Sequence, residues 1–196
     1  MKRFFDIIAS LTGIIILTPF FILIFLAVVI GSGFPVFYMQ TRVGKDGEDF
    51  KVFKFRTMFM DSDKKGLLTV GGHDKRITSV GYFLRKYKLD ELPQLFNVLS
   101  GHMSLVGPRP EVRKFVEMYN EEQKKVLSVR PGITDYASLE YINENDLLAK
   151  SDNPEQTYIK EVMPAKLRLN LKYIKEAGLV TDIKVIFKTI GKISGN

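Results

Sequence analysis

Apolar residues are spread very unevenly along this chain. After Lys2, Arg3 and Asp6, no charged side chain occurs until Arg42, and residues 7–30 form one long apolar run. A run of this length fits a membrane helix better than the shorter apolar core of a secretory signal. Two details complicate a simple span. Pro19 removes a backbone hydrogen bond near the middle, and both flanks are basic, Lys2 and Arg3 before it, Arg42 and Lys45 after it. Basic flanks favour one side of a membrane. A helix broken at Thr18-Pro19, with legs of about 12 residues or roughly 18 Å, enters and leaves by the same leaflet and satisfies both details. The Thr18 hydroxyl is then expected to bond a carbonyl that the break frees. A proline-kinked spanning helix fits the length equally well, and the pattern alone does not choose between them.

The remaining chain alternates shorter signals. Residues 36–40 and 50–56 read as strands, joined through the turn residues Gly44-Lys45-Asp46-Gly47. Residues 61–73 are polar, with Gly66, Gly71 and Gly72, and are expected to form a mobile loop. A helix is predicted from Thr78 or Ser79, burying Val80, Phe83, Leu84 and Tyr87, and another after Pro110 with Val112, Phe115, Val116 and Tyr119. Arg130-Pro131-Gly132 predicts a loop, and a helix from Pro154 is expected to stop at Pro164. Residues 182–193 place Ile183, Ile186, Phe187, Ile190 and Ile193 on one helical face, with Lys184, Lys188 and Lys192 opposite. Such a helix suits a membrane interface with anionic lipid. It suits packing on its own domain equally well.

Charge and composition narrow the chemistry. The 196 residues leave room for an anchor and one ordinary domain. A net charge of +7 attracts anions: nucleic acid, anionic lipid or phosphorylated metabolites. The basic residues are dispersed and no reader motif is present, so no nucleic-acid partner is expected. With no cysteine and only His73 and His102, a thiolate or histidine-rich metal site is not expected. Any catalytic metal should have oxygen ligands, and Mg2+ is the natural candidate.

The chemistry-bearing residues stand close together. Leu89-Asp90-Glu91-Leu92-Pro93 puts two carboxylates where a helix is expected to start, since proline is tolerated only in a first turn. Asp90 reads either as an N-cap or as a nucleophile that the helix terminus keeps ionised, able to form an acyl phosphate. Glu91 would then hold the metal. Arg109, between Pro108 and Pro110, is displayed on an extended segment suited to bidentate phosphate contact. Arg85, Lys86 and Lys88 form a basic run beside the carboxylates, either solvated or neutralising an anionic substrate. Asp74, Arg76 and Thr78 are weaker candidates that suit stabilising the following helix start.

Taken in order, Lys2-Arg3-Phe4-Phe5-Asp6, the proline-containing apolar run, Gln40-Thr41-Arg42-Val43-Gly44, Lys54-Phe55-Arg56-Thr57-Met58, Leu84-Arg85-Lys86, Leu89-Asp90-Glu91-Leu92-Pro93-Gln94-Leu95, Met103 to Pro110 and Arg130-Pro131-Gly132-Ile133-Thr134 resemble the monotopic phosphoglycosyl transferases, or bacterial sugar transferases. The resemblance covers residues 1 to about 135. It implies an α/β, mostly helical fold. A re-entrant helix hairpin over residues 1–35, broken at Thr18-Pro19, would carry a catalytic domain over 36–196 with amphipathic interfacial helices. It implies transfer of a sugar phosphate from a UDP-sugar to polyprenyl phosphate, releasing UMP, at the cytoplasmic face of a bacterial inner membrane. Asp90 would be the nucleophile and Glu91 the magnesium ligand, with Arg109 and Arg85 binding substrate phosphate. The family's usual Ser-Pro break is Thr18-Pro19 here. Many members continue Pro-Gly-Ile-Thr with Gly-Trp-Ala-Gln, whereas this chain reads Asp135-Tyr136-Ala137-Ser138, so donor preference does not carry over. Oligomeric state is left open, as are two other readings of the carboxylates: a metal-dependent phosphohydrolase and a non-catalytic membrane scaffold.

Overall fold

The computed structural model describes residues 1–62 and 74–195. Among the described residues the protein is mostly helical, with two small sheets. Helix α1, Lys2–Ser32, is long and apolar enough to cross a membrane by length and composition. It is followed by a hairpin of β1, Phe37–Val43, and β2, Asp49–Phe55, in antiparallel register from Phe37 opposite Phe55 to Val43 opposite Asp49. The turn between them works as the glycines predict, with positive φ at Asp46 and Gly47. Helix α2 spans Ser79–Lys86 and α3 spans Gln94–Ser100. Strand β3, Ser104–Val106, pairs in parallel with β4, Gly132–Thr134, after the short helix α4, Arg113–Val116. Helices α5 (Tyr136–Glu140), α6 (Glu144–Ala149), α7 (Pro154–Thr157), α8 (Met163–Glu176) and α9 (Leu179–Ser194) complete the domain.

Helix α1 is helical straight through Thr18-Pro19, rather than two separate helices meeting there. The Thr18 hydroxyl donates to the Ile14 carbonyl at 2.8 Å. That carbonyl lies one position before the one Pro19 leaves without its amide partner. One stripe of the helix faces the domain along its whole length. Asp6 and Ser10 are buried near one end, and Ile24 and Val28 near the other. Those last two pack with Val36, Phe55 and Leu84. The other faces stay open, with Ile15, Ile16, Phe20 and Leu23 exposed.

Polar contacts anchor both ends of α1. Lys2 pairs with buried Asp182 of α9 and donates to the Val106 carbonyl at 3.0 Å. Arg3 donates to the Val98 and Leu99 carbonyls that end α3. Asp6 accepts from the Ser104 hydroxyl at 2.9 Å and the Leu105 amide at 3.2 Å. At the far end Arg56 donates to the carbonyls of Ser32, Gly33 and Phe34, satisfying acceptors a helix C-terminus leaves unpaired. The basic flanks therefore act as structural ties as well as flanking charge. Arg42 likewise pairs with Glu111 at 2.8 Å.

Several local expectations change. The sequence reading buries both Phe83 and Leu84 on α2; Leu84 is buried, but Phe83 is exposed and Gly81 takes its place, because Gly81 lies against the Thr57 backbone. Pro164 does not end a helix. A π-helical turn over Tyr158–Val162 leads into α8, with the proline in its first turn, where a missing N–H is tolerated. Apart from Asp61 and Ser62, the segment expected as a mobile loop lies outside the described residues. One face of the C-terminal helix packs on its own domain. Asp182 and Val185 are buried, while Phe187 and Ile190 are exposed.

The pairing of β3 with β4 depends on a close approach. A Cβ on Gly132 would sit 2.1 Å from the Gly107 nitrogen, in a crossing held by Gly107 N–H to Thr134 O and Gly132 N–H to Pro108 O, each 3.0 Å. Gly132→Ala should therefore destabilise the protein by about 1–3 kcal/mol, since backbone cannot yield as a side chain can. A denaturation midpoint equal to wild type would contradict this.

Candidate active site

The chain reaches the carboxylates through a sharp turn. Thr78 caps α2, its hydroxyl accepting from the Gly81 amide at 2.9 Å, and α2 runs to Lys86. Lys88 then adopts a left-handed conformation, φ 54°, and a 3-10 turn over Leu89–Glu91 follows. Leu89 and Leu92 pack against the α1 cluster. Asp90 and Glu91 border a large cavity. Helix α3 begins only at Gln94, with Pro93 as its N-cap. Asp90 is thus not a helix N-cap.

Asp90 is 5% exposed, and its Oδ1 has no hydrogen-bond partner among the described residues. Burial, and next the adjacent Glu91 charge, push its carboxyl above the usual aspartate value; Lys54, Arg85 and Lys88 oppose this only in part. The expectation that a helix terminus keeps Asp90 ionised is corrected: desolvation dominates. Glu91 behaves in the opposite way. Burial alone would raise its pKa, but Arg109 and Lys54 together hold it well below the usual carboxylate range. Arg109 grips both Glu91 oxygens, Nη1 to Oε2 at 3.0 Å and Nη2 to Oε1, while Lys54 Nζ lies 3.0 Å from Oε1. The Glu91 charge raises the Arg109 pKa, and burial lowers that of Lys54.

The other predicted residues divide. Arg85 borders the cavity and donates to the Thr57 hydroxyl at 3.0 Å; burial lowers its pKa. Lys88 also borders the cavity, but Lys86 is exposed, its ammonium over the Tyr87 ring. Asp74 and Arg76 pair with each other, and Arg76 lines the cavity. Thr18 and Pro19 are exposed on α1 and do not border the cavity.

Two residues were given no role by sequence reasoning. Lys54 shares its strand face with buried Phe50 and Val52, and a lysine at an inward position of the β2 alternation was the available signal. Asp135, fully buried, accepts from the Arg109 amide at 3.2 Å and caps α5 by accepting from the Ser138 amide at 2.6 Å. It fixes the backbone that carries Arg109.

No group of three acidic or histidine side chains forms a metal cluster among the described residues. Magnesium commonly takes only one or two carboxylates and completes its shell with water and phosphate oxygens. The Asp90–Glu91 pair fits that pattern, and the partnerless Asp90 oxygen is a donor such an ion can use. Glu91 would have to exchange Arg109 or Lys54 for the ion.

The cavity holding these groups measures about 1290 Å³. Besides the charged groups, its lining includes Gly13 and Leu17 of α1 and Ile183, Phe187 and Ile190 of α9. A profile of the bacterial sugar transferases matches residues 1–196.

The chain belongs to the bacterial sugar transferase family.

Among relatives of this family, a UDP-N-acetylgalactosamine-undecaprenyl-phosphate N-acetylgalactosaminephosphotransferase of Aeromonas hydrophila is 36% identical over 196 residues, covering 98% of this chain and 43% of its own. The UDP-glucose:undecaprenyl-phosphate glucose-1-phosphate transferase of Escherichia coli K12 is 38% identical, covering 98% and 40%. The exopolysaccharide production protein PSS of Rhizobium leguminosarum bv. phaseoli is 36% identical, covering 97% and 93%. The chain thus spans about two fifths of the length of the first two. Their names carry different sugars at nearly equal identity, so identity does not select a donor.

Proposed function

We propose that this bacterial sugar transferase moves a sugar 1-phosphate from a UDP-sugar to a polyprenyl phosphate such as undecaprenyl phosphate, giving polyprenyl-diphosphate sugar and UMP. The observation that carries the reading is Asp90: a buried carboxylate with an unpaired oxygen, beside a clamped glutamate, in a cavity that apolar side chains of α1 and α9 also line. In the proposed first step an Asp90 oxygen attacks the sugar-bearing phosphorus. The bond from that phosphorus to the bridging oxygen breaks, and UMP leaves with the electron pair. In the second step an oxygen of the polyprenyl phosphate attacks the same phosphorus and releases Asp90. Arg109 and Arg85 would hold the phosphates, and Lys54 would balance charge at Glu91. Bound magnesium would neutralise diphosphate charge, with Glu91 and Asp90 as its carboxylates.

The apolar lining residues of α1 and α9, Leu17, Ile183, Phe187 and Ile190, would face the acceptor chain. We further propose that α1 dips into a single leaflet. Spanning 31 residues, it is about 46 Å long at 1.5 Å per residue, more than a bilayer core of about 30 Å. Yet both of its ends are tied to one domain, through Lys2 and Asp6 at one end and Arg56 at the other. A helix standing across the bilayer would separate those ties by the whole membrane. The domain is therefore assigned to one face of a bacterial inner membrane, the cytoplasmic face where UDP-sugars are found.

The test is UMP release from a panel of UDP-sugars with undecaprenyl phosphate and Mg2+. Release that requires the lipid is expected; release that ignores it would make the protein a hydrolase. Chelation by EDTA should abolish release and added Mg2+ should restore it. Full activity in EDTA would end the magnesium proposal.

A further inference from the structure

One lobe of the cavity has no part in the phosphate chemistry above. It lies beyond Pro110 and is bordered by Glu111, Tyr119, Tyr158, Lys166 and Asn170. Asn170 is 4% exposed, and its Oδ1 has no hydrogen-bond partner among the described residues. Its neighbours along the same face of α8 are the buried Met163, Leu167 and Tyr173. The fold alone would favour an apolar side chain there, because a buried acceptor without a donor lowers stability.

The surrounding groups are held in place. Glu111 is fixed by Arg42 at 2.8 Å and by the Tyr158 hydroxyl, and its backbone carbonyl accepts from the Val43 amide at 2.9 Å. Lys166 pairs with Glu144 at 2.7 Å. The Tyr158 ring is packed against Phe115, 4.9 Å between centroids, with the Lys166 ammonium over it at 5.4 Å. Tyr119 and Tyr158 are buried members of the main apolar cluster. Tyr158 thus has its ring covered and its polar rim in use, which suits a ring bearing hydroxyl groups better than a base that must stack. Glu111 follows Arg109 by two residues, so the lobe adjoins the phosphate clamp.

We propose that this lobe holds the pyranose ring of the sugar phosphate being transferred, with Asn170 Oδ1 accepting from an O–H or N–H substituent on it. This rests on the transferase reading for the identity of the ligand. A polar site built to pair with one substituent discriminates strongly against a ring lacking it.

The test is calorimetric binding of UDP-glucose, UDP-N-acetylgalactosamine and UMP to the full chain in nanodiscs, for wild type, Asn170→Leu and Asn170→Ala. Wild type should bind at least one of the two donors more tightly than UMP. Both variants should lose about tenfold or more of that gain, change UMP affinity less than about twofold, and leave the melting temperature undiminished. Equal losses for donor and UMP would place the nucleoside in the lobe and overturn the proposal. An unchanged donor gain, or no gain in wild type, would also overturn it. Because binding needs no turnover, an Asn170-dependent gain without lipid-dependent UMP release would sink the transferase reading and leave the sugar subsite standing.

Discussion

Asp90→Asn should lower lipid-dependent UMP release by about 10³-fold or more while leaving the protein folded. An amide cannot attack phosphorus as a carboxylate does, and the remaining contacts should only bind substrate. Stability should not fall, and the reason lies in the sign of the Asp90 shift. Its pKa is raised by burial and then by Glu91, so the folded state favours the protonated form. The stability Asp90 contributes is present below the unfolded aspartate value and is lost as pH rises through the raised folded value. Asparagine never ionises and escapes that loss. The variant should melt at or above the wild-type temperature, with the difference growing above the ordinary carboxylate range. Thermal melts across pH, beside UMP release and intact-mass detection of a phosphosugar adduct, would measure all three. Near-normal release would remove Asp90 as the nucleophile.

Arg109→Ala should damage both activity and stability. It removes the bidentate partner of Glu91 and leaves that buried carboxylate to Lys54 alone. Stranding one member of a sealed ion pair typically costs roughly 3–5 kcal/mol. The Arg109 side chain is 33% exposed, so about 2 kcal/mol is expected here. Glu91 has a depressed pKa, so its contribution is present above the unfolded glutamate value and lost as pH falls through the folded value. Without Arg109 that loss should begin at higher pH, and acid unfolding should shift upward. Pairing the change with Glu91→Gln should recover stability by removing the stranded charge, yet leave UMP release at least about 10²-fold down. If the double variant regained activity, Arg109 would serve only to hold Glu91. An unshifted acid midpoint in Arg109→Ala would deny the pairing itself.

Much of the fold follows from local signals. The β1–β2 hairpin is readable because alternation and two glycines act over a few residues. The Thr78 cap is readable because a hydroxyl reaches an amide three residues on. Arg109 stands on an extended segment because its flanking prolines limit φ whatever surrounds them. Failures occur where a distant element intervenes. Phe83 is displaced from the buried face of α2 because Gly81 meets the Thr57 backbone. Pro164 is accommodated because a π-helical turn precedes it. Lys2, Arg3 and Asp6 look like flanking charges until α3, β3 and α9 supply their partners.

A membrane-length apolar helix ahead of the domain, two adjoining carboxylates and a lone arginine between prolines are all legible in the order of residues. Covalent neighbourhood and backbone sterics suffice for each. How those charges behave depends on the folded arrangement. Lys54 and Arg109 lie 37 and 18 residues from Glu91 along the chain, yet both touch its carboxylate. Glu91 is paired and held ionised, while its neighbour Asp90 is buried with a free oxygen and a raised pKa. Solvation and Coulomb energy depend on distance in space, which the order of residues does not contain.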